Sequence, residues 1–137
     1  MTGPTDCALR FLNGRLQGDV ERQPWCCVAS YYEPNEAMVV GREAYELYDV
    51  ASLQLPPNLR DPMSDKPNMY RREQQIFANV SDDEWREAQA CYLGRVTEID
   101  AELGRLLALL RQHDALESTV VIVSFAALCG LSLRRPR

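Results

Sequence analysis

Residues 81–125 read SDDEWREAQACYLGRVTEIDAELGRLLALLRQHDALESTVVIVSF, a helix start signal, a long period-3.6 stretch and a β-branched run in succession. Ser81-Asp82-Asp83-Glu84 is a capping box, in which the serine oxygen accepts from the N–H three residues on and the glutamate reaches back to the cap. Behind it Trp85, Ala88, Tyr92, Val96, Ile99, Leu103, Leu106 and Leu110 step by three and four. That is one apolar stripe along roughly 45 Å of helix, and it must be covered. Gly94 and Gly104 each cost about 1 kcal/mol of helix propensity against alanine, which points to close approach of another backbone. His113 and Asp114 mark the exit, the histidine as a dipole partner or solvent-facing cap. Ser118 to Phe125 is β-branched and apolar, the composition of a strand covered on both faces.

Working upstream, Pro24 to Tyr32 (PWCCVASYY) is a second unbroken apolar run, bounded by Pro24 and by Glu33-Pro34-Asn35, and it reads as another buried strand. Asp6 to Gln17 carries Leu9, Leu12 and Leu16 with Phe11, a short amphipathic helix that Gly18 would stop. A short helix is expected over 42–49. Residues 55–67, with Pro56, Pro57, Pro62 and Pro67, are a proline-pinned excursion of the kind that is functional or disordered in compact domains. The fold expected is α/β: two buried parallel strands near Trp25 and Ile122, joined by a right-handed crossover through the long helix. Two strands cannot make a doubly covered sheet, so the chain reads as part of a larger domain. No internal repeat is visible.

With 137 residues, 46% hydrophobic, 26% charged and a net charge of −5, the chain has globular composition. Disorder is excluded, and nucleic-acid binding lacks its electrostatic footprint. Cys7, Cys26, Cys27, Cys91 and Cys129 are odd in number and irregular in spacing, so reduced buried thiols are expected rather than a disulfide framework. Adjacent Cys26-Cys27 lack the Cys-x-x-Cys context of a redox pair, and with one histidine there is no zinc ligand set. Residues 1–6 do not read as a signal peptide. The most apolar stretch, Val120 to Leu133, spans only 14 residues, against about 20 for a bilayer crossing. A cytoplasmic location without membrane contact is the expectation for the chain as given.

The order of these pieces resembles the formylglycine-dependent sulfatases of the alkaline-phosphatase-like superfamily, in the middle of their catalytic domain. The resemblance rests on Pro24-Trp25 through Tyr31-Tyr32-Glu33-Pro34, Tyr45-Glu46-Leu47-Tyr48-Asp49, Leu55-Pro56-Pro57-Asn58 and Asp65-Lys66-Pro67. It continues through the helix of Trp85-Arg86-Glu87, Tyr92-Leu93-Gly94 and Leu103-Gly104-Arg105, and into Thr119-Val120-Val121-Ile122-Val123. It implies a partial sulfatase domain over 1–124 and an intact parent that hydrolyses sulfate esters, small-molecule or glycan, with a calcium ion and a formylglycine nucleophile.

The departures bear on activity. No cysteine here is followed by the family's x-Pro/Ala-Ser/Ala-Arg, so the nucleophile motif is absent. Where the family commonly has Pro-His facing the sulfate, this chain has Pro34-Asn35, and asparagine can donate a hydrogen bond but is no cation or general acid. Where the family turns into Asp-His-Gly or Asp-Asn-Gly, Ser124 is followed by Phe125-Ala126-Ala127. Residues 125–137 are accordingly set apart as a divergent tail, as a shifted reading frame would leave. Asn35 and Lys66, the sole lysine, are the substrate-contact candidates, weighed against a loop asparagine and a solvated loop lysine. No catalytic residue, metal ligand or cofactor is expected on this chain alone. The alternative reading is a non-catalytic protein-interaction module derived from a sulfatase, and an uncovered helix face would let the chain self-associate.

Overall fold

A computed structural model describes residues 3–17, 24–35 and 39–124. The elements are α1 (Pro4–Leu16), α2 (Arg42–Tyr45), a single 3₁₀ turn (Val50–Ser52), α3 (Asn68–Ile76) and α4 (Asp82–Gln112). The chain divides into two compact units, residues 1–36 with 96–137, and residues 37–95. The first half of α4 belongs to the second unit and its second half to the first.

α4 begins as its sequence dictates. Ser81 Oγ accepts from the Glu84 N–H at 3.2 Å, while Glu84 Oε2 accepts from the Ser81 N–H and hydroxyl, both at 2.8 Å. Those bonds, the backbone one first, hold the Glu84 carboxyl below its ordinary value. The far end closes as a Schellman motif: Asp114, in the left-handed region at φ 51°, donates its N–H to Arg111 O, and Ala115 donates to Leu110 O at 2.9 Å. Leu110 and Ala115, the apolar pair that accompanies this motif, are both buried. His113 is half-buried, with Nε2 enclosed and without a hydrogen-bond partner among the described residues.

In the unit of residues 37–95, α4 lies against α2 at Gly94. A Cβ there would stand 2.9 Å from Val40 Cγ2 and 3.1 Å from Ala44 O, so the glycine permits the close backbone approach that its cost implied. Gly104 has nothing within 4 Å of that position, and the same expectation fails there. The helix expected over 42–49 is confined to α2, followed by a turn in which Tyr48 N–H donates to Tyr45 O.

In the other unit, Pro4 opens α1 and Asp6 reaches back to the Gly3 N–H at 3.4 Å. Thr5, 2% exposed, shares a hydrogen bond with the Tyr31 hydroxyl at 2.8 Å, which ties α1 to the segment 24–32.

The two buried parallel strands expected near Trp25 and Ile122 are not present among the described residues. Among the described residues no strand forms, and 24–32 and 119–124 belong to no helix or strand. In the first, Trp25, Cys27, Ala29 and Tyr31 are half-buried, while Cys26, Val28 and Tyr32 are exposed. In the second, Val120 to Val123 are all exposed. β-branched composition selects the extended backbone, but a ladder also needs N–H and C=O groups on a neighbour. The buried apolar residues among those described are Ala8, Leu12, Ala44, Ala90, Leu110 and Ala115. Alanines dominate, and burying a methyl stabilises far less than burying a leucine or phenylalanine side chain. The apolar stripe of α4 is half-buried along most of its length, with Val96 exposed. Gly18 and the tail 125–137 lie outside the described residues.

Candidate functional site

The proline-pinned excursion is built from successive turns. Leu59 N–H donates to Pro56 O, Asp61 N–H to Asn58 O, and Lys66 N–H to Met63 O, at 3.0–3.1 Å. Asp61 Oδ1 accepts from the Met63 N–H at 2.9 Å, an Asx turn that carries Met63 into the left-handed region at φ 53°. Prolines remove donors, and four of the remaining backbone donors close onto neighbouring carbonyls or the Asp61 carboxylate, which gives these residues a defined path.

Two side chains outside the prolines hold that path in place. Arg60 donates to Val80 O at 3.0 Å and to Asp82 Oδ1 at 2.8 Å, so it clasps the residues that open α4. Gln74 of α3 donates to Asp61 O. Arg86 Nε adds a bond to Leu53 O at 3.2 Å. Neither Arg60 nor Gln74 stood out in the sequence, because an anchor is defined by the carbonyl it reaches and not by its neighbours in the chain.

Lys66 sits at the end of this path, immediately before Pro67 and α3. Its ammonium is 2.6 Å from Asp65 Oδ2, and its side chain is 27% exposed. An arriving anion would compete with that carboxylate. Asn35 belongs to the other unit, in a turn where its N–H donates to Tyr32 O at 3.3 Å, after a cis Glu33–Pro34 bond. It is exposed, with its amide available to an anion as a neutral donor. Asn35 and Lys66 thus fall in different compact units. Among the described residues no group of three or more His, Cys, Asp or Glu side chains is placed to hold a metal ion, so those residues do not fit a calcium site. Among them also, no helix is long and apolar enough to cross a membrane.

No family model matches the chain, and no solved structure matches it. Curated proteins do. A sulfatase of Formosa agariphila is 25% identical over 108 residues, 74% of this chain and 21% of that protein. A choline-sulfatase of Rhizobium meliloti is 26% identical over 114 residues, 79% of this chain and 22% of that protein. The multifunctional alkaline phosphatase superfamily protein PehA of Trinickia caryophylli is 23% identical over 133 residues, 86% of this chain and 25% of that protein. The chain is therefore similar to part of sulfatases and of an alkaline phosphatase superfamily protein, and it spans about a fifth to a quarter of their length.

Proposed function

We propose that residues 1–124 are an internal part of a sulfatase catalytic domain, and that the intact protein hydrolyses sulfate esters of small molecules or glycans. The observation that carries this reading is the similarity of 74–86% of the chain to three proteins, of which two are sulfatases by name. The segments from Pro24-Trp25 to Asp65-Lys66-Pro67 and along α4, which resemble the family in the same order, agree with it.

In this reading the formylglycine nucleophile and the calcium ion belong to sequence other than residues 1–137. The described residues supply no ligand set, and no step of the reaction is assigned to them. The part this chain would play is contact with the sulfate group, through the Asn35 amide as a neutral donor and the Lys66 ammonium as a charge. The chain by itself is inactive.

Two measurements test the proposal. The purified chain is expected to leave an aryl sulfate unhydrolysed; turnover that a metal chelator abolishes would overturn the inactivity. Sequencing the gene with its flanks is expected to uncover a Cys/Ser-x-Pro/Ala-Ser/Ala-Arg motif upstream, and an Asp-His-Gly or Asp-Asn-Gly in a shifted frame after Ser124. Unrelated flanks, together with a stoichiometric protein partner for the purified chain, would favour the non-catalytic interaction module instead.

A further inference from the structure

From Asp61 to Lys66 the excursion is closed link by link. Asp61 Oδ1 accepts from the Met63 N–H at 2.9 Å, and Met63 O accepts from the Lys66 N–H at 3.1 Å. The lysine backbone is thus joined through Met63 to Asp61. These turns fix the internal shape of the segment, and side chains at its Asp61 end tie it to the helices. Nη2 of Arg60 donates to Val80 O at 3.0 Å and to Asp82 Oδ1 at 2.8 Å, while Gln74 of α3 donates to Asp61 O. Val80 and Asp82 flank Ser81, whose capping box with Glu84 is itself closed by three hydrogen bonds. Arg60 therefore grips a part of the chain that is held in place without it. All these residues belong to the unit of residues 37–95.

We propose that Arg60 is a positioning residue for Lys66: its clasp on Val80 and Asp82 fixes the turns that carry the lysine before any anion arrives. This rests on the reading of Lys66 as a sulfate contact. A cation on a segment already ordered binds an anion more tightly than one that must be ordered on binding, because the loss of chain freedom precedes the encounter. The other role open to an arginine near an anion site is that of a second ligand. Nη2 of Arg60 is already engaged by the Asp82 carboxylate, which an anion would have to displace.

The two roles differ in sign. Were Arg60 a ligand, removing the Asp82 charge would release it and tighten sulfate binding. As a positioning residue, Arg60 loses its grip when Asp82 is neutralised, and binding weakens. Asp65→Asn supplies a charge-matched comparison, since it too removes one negative charge, but at the lysine itself.

The test titrates inorganic sulfate into the full chain by nuclear magnetic resonance, with chloride as the ionic-strength control. Amide hydrogen exchange at Met63 and Lys66 is read without sulfate, and far-UV circular dichroism monitors the helices. Asp82→Asn is expected to weaken sulfate binding about two- to fivefold, the range of an exposed ion pair, and to speed exchange at both amides. Asp65→Asn is expected to tighten binding. Arg60→Ala is expected to act as Asp82→Asn does, and Arg60→Lys, which keeps a cation facing Asp82, to recover part of the loss. Asp83→Asn removes the same charge one residue along α4, from a carboxylate bonded to Arg86, and is expected to leave exchange at Met63 and Lys66 unchanged. An Asp82→Asn variant that binds sulfate as tightly as the natural chain, or more tightly, would overturn the proposal. So would unchanged exchange in Asp82→Asn and Arg60→Ala, or an Asp83→Asn variant that matches Asp82→Asn. In those outcomes sulfate binding that Lys66→Ala abolishes leaves the reading of Lys66 standing. A natural chain that binds no sulfate, or a Lys66→Ala variant that binds it equally well, overturns that reading and the role of Arg60 with it.

Discussion

The Arg105 guanidinium donates to the Asp6 carboxylate at 2.8 Å, closing α1 onto α4 across 99 residues of sequence. The same guanidinium donates to Glu102 at 2.7 Å, one turn back along its own helix. Arg105, with the Gly3 N–H second to it, holds the Asp6 carboxyl below its ordinary value of 3.8. A carboxylate lowered in the folded state contributes stability that is present above 3.8 and lost as pH falls through its folded value. Asp6→Asn is expected to flatten that part of the acid limb. Helix unfolding followed by circular dichroism from neutral pH downward checks this; an Asp6→Asn profile parallel to the natural one would contradict it.

Glu84 behaves alike for a different reason, since it is lowered by the Ser81 N–H and hydroxyl and not by a cation. Its contribution is present above 4.5 and fades as pH falls through its folded value. Replacing the cap itself acts at all pH values. Ser81→Ala is expected to cost about 0.5–2 kcal/mol, the usual worth of an N-cap hydroxyl, read from the helical melting transition.

The two glycines of α4 separate propensity from packing. Gly104→Ala adds a methyl where nothing lies within 4 Å and is expected to stabilise by up to about 1 kcal/mol. Gly94→Ala drives its methyl against the Ala44 backbone at 3.1 Å, and overpacking of about 1–3 kcal/mol outweighs the same propensity gain. Opposite shifts in melting temperature are the expected outcome.

Asp114 occupies the position after a helix that glycine fills without strain. At φ 51° the aspartate carries a Cβ penalty, so Asp114→Gly is expected to stabilise by up to about 1 kcal/mol. A β-branched residue there, such as Asp114→Val, is expected to destabilise. Denaturant midpoints for the two variants, measured together, decide the matter.

Lys66 cannot serve an incoming anion and Asp65 at full strength. With the pair at 2.6 Å and Asp65 largely exposed, Asp65→Asn is expected to tighten the binding of inorganic sulfate about two- to fivefold, in line with an exposed pair worth under about 1 kcal/mol. Lys66→Ala is expected to abolish it. Nuclear magnetic resonance titration with sulfate, with chloride as the ionic-strength control, distinguishes the two variants.

α4 was legible because its evidence is local. The capping box spans four residues, the apolar steps lie one turn apart, and each hydrogen bond closes within the helix. α1 was legible for the same reason. α3 carries no apolar period and lies among prolines, so the run of Arg, Glu and Gln after Pro67-Asn68 is the one local sign of it in the sequence. The anchors of the excursion, Arg60 and Gln74, were not legible, since their partners lie elsewhere in the chain.

The sequence by itself determined the two longer helices, α1 and α4, and the capping box that opens α4. Periodicity, capping and β-branching act on each residue through its near neighbours in the chain. Only the tertiary structure decided which glycine of α4 meets another backbone, that Lys66 is engaged by Asp65, and that Nε2 of His113 is enclosed. It also decided that Trp25 and Ile122 lie outside any strand. A helix closes its hydrogen bonds upon itself, whereas a strand is completed by another stretch of backbone, and no local pattern of residues supplies that partner.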